Sequence, residues 1–130
     1  MKKPIEIVIK TKPSEIRMGS PYSHCELEFI GTELELPTSD WQNKFTWSLD
    51  NNWLVLIRFD LINNNPGFRF YIIDTINDSL QVSKRILGIV DSIRIDKNTI
   101  LYNKFLLNRD KSTREKLCCH TNEEYLIQNN

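Results

Sequence analysis

The segment Trp53-Leu54-Val55-Leu56-Ile57-Arg58-Phe59 carries a single polar side chain. A β-strand with one wet face alternates apolar and polar residues. A near-continuous apolar run rich in Val, Ile and aromatics is instead a strand covered on both faces. The run is short for a helix, and turn formers bound it: Asp50-Asn51-Asn52 before it, Asn63-Asn64-Asn65-Pro66-Gly67 after it. A second run, Gly67 to Asp74, then returns. Alternation places Phe68, Phe70 and Ile72 on one face and Arg69, Tyr71 and Ile73 on the other. The chain is therefore organised around a buried β-hairpin with a projecting tip near 63–67.

The flanking segments read as further short strands. Ile5, Ile7 and Ile9 alternate with Glu6, Val8 and Lys10. Leu27 and Phe29 alternate with Glu26 and Glu28. After Gly31 the pattern resumes with Leu34 and Leu36 between Glu33 and Glu35, which predicts a second short hairpin or one bulged strand over 25–36. Lys44 to Trp47 feeds the central hairpin. Leu80 and Val82 mark another strand, which either continues to Ile86 or gives way to a bend or coil over Lys84-Arg85-Ile86-Leu87, and Asp96-Lys97-Asn98 joins two more. Arg109 to Lys116 is a charged loop or a short helix, with Ser112 and Glu115 at capping-box spacing. Leu117 to Ile127 returns as one or two short edge strands.

These features predict a mainly β protein, a single antiparallel domain over residues 1–130 with at most one short helix. Two architectures fit: a sandwich, or a curved sheet of blade-like hairpins. Ser48-Leu49-Asp50 before Trp53 looks like the turn of a β-propeller blade. Blades take ~40–45 residues and closure needs about four, so a closed propeller does not fit.

Composition excludes several function classes. Lys plus Arg and Asp plus Glu number 17 each, which argues against nucleic acid as a partner. No run approaches the ~20 apolar residues of a membrane helix, so no membrane partner is expected. The start, MKKPIEIVIK, reads as a strand and not a signal peptide. Three cysteines, Cys25, Cys118 and Cys119, favour reduced thiols and a cytoplasmic location over a disulfide framework.

No catalytic motif stands out. Cys118-Cys119-His120, even with His24 and Cys25, lacks zinc-ligand spacing, because adjacent residues on a strand point to opposite faces. A vicinal Cys118–Cys119 redox pair is equally weakly supported. Ser23 or Cys25 beside His24 is poor geometry for a nucleophile and its base, and no nucleophile turn is present. No pair of acids is singled out for glycoside cleavage, and the four glycines are scattered. Neither an enzyme nor a metal or other cofactor is expected.

The strongest functional signal is acidic. From Met18 to Asn43 there is no Lys or Arg, while Glu26, Glu28, Glu33, Glu35 and Asp40 fall in the same window. Alternation turns the four glutamates outward, and pairing of their two segments would merge them into one patch. Like charges side by side cost stability, so the patch is either a well-solvated strand face or a docking surface for a basic partner. Trp41, with Tyr22 and Phe45, is either an anchor of that surface or part of the core.

Several pieces together carry a resemblance: Ser20-Pro21-Tyr22-Ser23-His24-Cys25, Trp41, Trp47-Ser48-Leu49-Asp50, Asn65-Pro66-Gly67-Phe68 and Ile72-Ile73-Asp74-Thr75. Over about residues 18–105 the chain resembles small bacterial immunity proteins that accompany polymorphic toxins, including those of contact-dependent growth inhibition. The resemblance implies a non-enzymatic cytosolic inhibitor that binds one cognate toxin domain in a one-to-one complex. Many such toxins are nucleases with basic active sites, which Glu26, Glu28, Glu33, Glu35, Asp40 and Trp41 would cover. The tip at Asn63–Gly67 and the loop Arg109–Lys116 are secondary candidates. The alternative is a propeller-like scaffold or peptide-binding module that uses an exposed strand edge.

Overall fold

The two apolar runs form adjacent antiparallel strands at the centre of the molecule. The computed structural model describes residues 4–10, 14–15, 23–60, 67–108 and 116–127, and among them there are only strands, turns and extended segments. The strands before the central hairpin are β1 (Glu6–Ile9), β2 (Ser14–Glu15), β3 (Ser23–Cys25), β4 (Leu27–Ile30) and β5 (Trp41–Trp47). The hairpin itself is β6 (Trp53–Phe59) and β7 (Gly67–Asp74). Then follow β8 (Ser79–Val82), β9 (Ile86–Leu87), β10 (Ile89–Asp96), β11 (Thr99–Asn108) and β12 (Lys116–Leu126). The protein is mainly β, in three antiparallel sheets. The 63–66 tip, Tyr22 and the 109–115 segment lie outside the described residues.

The central sheet runs β2-β3-β5-β6-β7-β8, with β9 also paired to β7. In register, Val55 faces Ile72 and Ile57 faces Phe70, whereas Leu54 faces Ile73 and Leu56 faces Tyr71. The first set packs with Val90, Ile100, Tyr102 and Ile127 from the sheet β10-β11-β12 and its end. The second set, with Trp41, packs against Ile5, Leu27, Ile7 and Phe29 of the β1-β4 ribbon and its N-terminal approach. The central strands are therefore apolar throughout because each is covered by a separate layer on each face.

The layers are also tied by polar contacts. The Gln42 side-chain amide donates to the Val90 carbonyl at 2.6 Å. Lys44 donates to the Asp91 carbonyl and lies 3.8 Å from the Asp91 carboxylate. At the far end of the central sheet, Ser48 Oγ and Asp50 Oδ1 are hydrogen-bonded at 2.6 Å, and Ser48 Oγ also accepts from the Trp53 amide. This bond and the Asn52 amide hold the Asp50 carboxyl below its ordinary pKa. The blade-like turn motif is present, but on a layered sheet.

Three expectations about the strands need correction. The segment 32–37 does not pair with 25–30 as a hairpin. β4 pairs with β1, while the Leu27 amide donates to the Thr38 carbonyl at 2.9 Å. The cause is Gly31, whose φ of +99° turns the chain where a Cβ would lie 2.7 Å from the Pro4 carbonyl oxygen. The strand feeding the hairpin begins at Trp41, not Lys44, directly after Asp40 at a φ of +69°. The strand from Leu80 does not reach Ile86: β8 ends at Val82 and Ile86 lies in β9, paired to β7, while the last segment takes the single-strand alternative, eleven residues that follow β11 through a bulge.

Candidate functional site

The four glutamates occupy the outer layer. Glu26 and Glu28 are exposed while Cys25 and Leu27 are buried, and Phe29 packs into the core beneath. In the strap 32–37, Glu33 and Glu35 are exposed while Leu34 and Leu36 pack against the same core cluster. The alternation expected from the sequence therefore holds in both segments, although they are not paired strands.

The strap is fixed from an unexpected direction. Thr32 Oγ1 donates to Asp78 Oδ1 at 2.6 Å, and the Glu33 amide donates to Asp78 Oδ2 at 3.2 Å. Asp78 sits in the β7–β8 turn at a φ of +50°. Its carboxylate adds negative charge directly beside Glu33. On the ribbon, Glu6 shares the outward face with Glu28, since Glu6 lies opposite Ile30 and Val8 opposite Glu28. Glu6 and Asp78 were not singled out in the sequence. Glu6 was legible by alternation, whereas Asp78 is 45 residues from Glu33 and gave no local signal.

Among the described residues, Lys10 and Arg58 reach this region. Lys10 Nζ is 3.7 Å from Glu28, with about half of each side chain exposed, so the pair is solvent-screened and weak. Arg58 lies 3.6 Å from Asp40 and donates to the Ser39 carbonyl at 3.0 Å. Asp40 thus belongs to a turn that opens β5, held by Arg58.

Trp41 is a core residue and not a surface anchor. It is fully buried; its indole N–H donates to the Pro37 carbonyl at 2.8 Å. Its ring meets Phe29 and Tyr71 edge-on at 5.5 and 5.0 Å, and Arg58 lies over it at 5.9 Å. Burial follows from its position in β5, on the same side as Phe45 and Trp47.

On the opposite layer, Lys104 is buried and its Nζ meets Glu123 Oε2 at 2.9 Å, with Thr121 Oγ1 3.1 Å from the same oxygen. The bond from Lys104 holds the Glu123 carboxyl below its ordinary pKa despite partial burial. Burial first, and the Glu123 charge second, push the Tyr102 phenol from its ordinary 10.0 up to about 12. A raised tyrosine pKa stabilises the fold fully below pH 10.0, and that stabilisation is lost as pH rises through about 12. We expect the unfolding free energy to fall by on the order of 2–3 kcal/mol across that window. Denaturant titrations at stepped pH check this, and a Tyr102→Phe variant should flatten most of the slope. Glu123 works in the opposite sense: its lowered pKa stabilises above the ordinary glutamate value and is lost as pH falls below it.

No group of three or more His, Cys, Asp or Glu is placed to hold a metal ion among the described residues. Cys25 is a buried free thiol, and burial pushes its pKa up, away from reactive thiolate. The side chains of Ser23, His24, Cys118, Cys119 and His120 lie outside the described residues. No helix among the described residues is long and apolar enough to cross a membrane. No protein-family model matches this chain, and neither does a curated protein or a solved structure.

Proposed function

We propose that this protein is a non-enzymatic binding protein whose acidic outer layer docks a basic protein surface. The partner in this reading is a cognate toxin domain, a cytosol-acting nuclease neutralised in a one-to-one complex. The observation that carries it is the way Glu26, Glu28, Glu33 and Glu35 are held. Each projects to solvent from a segment whose alternate residues, Leu27, Phe29, Leu34 and Leu36, are anchored in the core. Such acids are presented with little further ordering cost, which favours association. The window 18–43 contains no Lys or Arg, and the Lys10–Glu28 pair beside it is exposed to solvent and weak. A nucleic-acid-binding active site would meet here exposed carboxylates in place of phosphates, presented from two segments that are not paired with each other. The resemblance to immunity proteins supplies the class of partner, and a cytoplasmic location belongs to the same proposal.

The test is co-expression with the toxin domain encoded beside this gene. Survival of the cells and recovery of an equimolar complex are expected; killing with no complex would overturn the reading. Glu33→Lys with Glu35→Lys should leave the urea midpoint nearly unchanged, because both side chains are exposed. The same variant should slow association at least tenfold, and the wild-type on-rate should fall steeply with added salt. Unchanged, salt-insensitive association would remove these glutamates from the interface.

A further inference from the structure

The sheet β10-β11-β12 carries a polar cavity on the layer opposite the acidic ribbon. Two cross-strand rows line it: Ser92, Asn103 and Asn122 in one, Arg94, Leu101 and Glu124 in the next. The register shifts after Val90 and after Lys104. Such bulges increase local twist and bend the strands, and the cavity that results is about 520 Å³. That volume is in the range of small-ligand pockets, ~300–1,000 Å³.

The chemistry of the lining is specific. The Ser92 amide and Ser92 Oγ both donate to Asn103 Oδ1 at 3.0 Å. This fixes the Asn103 side chain with its Nδ2 hydrogens left over for another acceptor. Arg94 and Glu124 bear opposite charges on either side of Leu101, and among the described residues neither forms an ion pair. Their strands are separated by two inter-strand spacings, ~9.5 Å. An extended chain advances ~3.4 Å per residue, so a peptide of about three residues spans the distance between the two strands, and the long Arg94 and Glu124 side chains stand at its two ends. A single amino acid spans only about a third of it.

We propose that this face binds a short zwitterionic peptide, with its free carboxylate on Arg94 and its free ammonium on Glu124. The guanidinium fork takes a carboxylate with two parallel bonds. Asn103 and Asn122 meet the peptide amides, and Leu101 provides an apolar floor for a small side chain. Capture of chain termini by fixed polar groups is an established recognition mode. The site lies on a different layer from the acidic ribbon and stands independently of the toxin-docking reading.

The probe is trialanine, titrated into isotopically labelled protein and followed by amide NMR. Saturable shifts confined to residues near 92–94, 101–103 and 122–124 are expected. Acetyl-trialanine amide, which lacks both charges, should not shift them. Arg94→Gln and Glu124→Gln should each weaken binding at least tenfold while leaving the rest of the spectrum in place, since both side chains are exposed. The proposal fails if trialanine produces no saturable shift by about 10 mM. It also fails if the capped peptide binds equally well or if both variants bind like wild type.

Discussion

Replacing Phe70 with alanine is expected to lower the unfolding free energy by about 3–5 kcal/mol. That is a large part of the ~5–15 kcal/mol available to a domain. Phe70 is fully buried, and its ring lies 5.2 Å from Phe68, 5.0 Å from Tyr102 and 5.6 Å from Tyr125. Phe68 and Phe70 come from the central sheet, and the two tyrosines from β11 and β12. The cluster is the seam between two layers, so the loss includes ring–ring attraction as well as buried area. Phe70→Leu keeps most of the volume and should cost about 1–2 kcal/mol. Urea unfolding curves for the two variants measure both values. An alanine variant within about 1 kcal/mol of wild type would mean that the third sheet does not rest on the central one.

The seam also shows what was legible in advance. The apolar run 53–59 and its return at 67–74 announced a doubly covered hairpin, and its strand bounds and face assignments hold in the structure. Period-two alternation is a local property, so it also predicted which glutamates are exposed. It could not say what each strand would pair with. β4 has the pattern of a strand that could pair with the segment after Gly31. Its partner is set instead by the positive φ at Gly31 and by Pro4, whose approach is a property of the whole chain path. The strap's hold on Asp78 is similarly non-local. The cavity was invisible for the same reason. Arg94 and Glu124 are scattered charges in the sequence, and only the registers through Leu101 place them on either side of one depression.

Trp41 shows the opposite difficulty, because its residue type fits two roles. A tryptophan beside acids is as good an interface anchor as a core residue, and the two roles predict different outcomes for the same substitution. An anchor replaced by alanine leaves stability intact and removes affinity. The structure assigns Trp41 to the core, so Trp41→Ala is expected to cost about 3–5 kcal/mol of stability. It also leaves the Pro37 carbonyl without the 2.8 Å bond it accepts from the indole. Trp41→Phe separates these effects. It retains a ring between Phe29 and Tyr71 but deletes the N–H, and should cost about 1–2 kcal/mol. Its particular consequence is local. The indole bond ties the strap to β5, and the Leu27 amide is held by Thr38 one residue beyond Pro37. Hydrogen exchange at Leu27 and Leu34 should therefore accelerate in Trp41→Phe, while exchange in β6 and β7 stays close to wild type. If Glu33 and Glu35 act through rigid display, the same variant should slow association with the basic partner without altering any charge. A stable Trp41→Ala protein with slowed binding would instead return Trp41 to the interface.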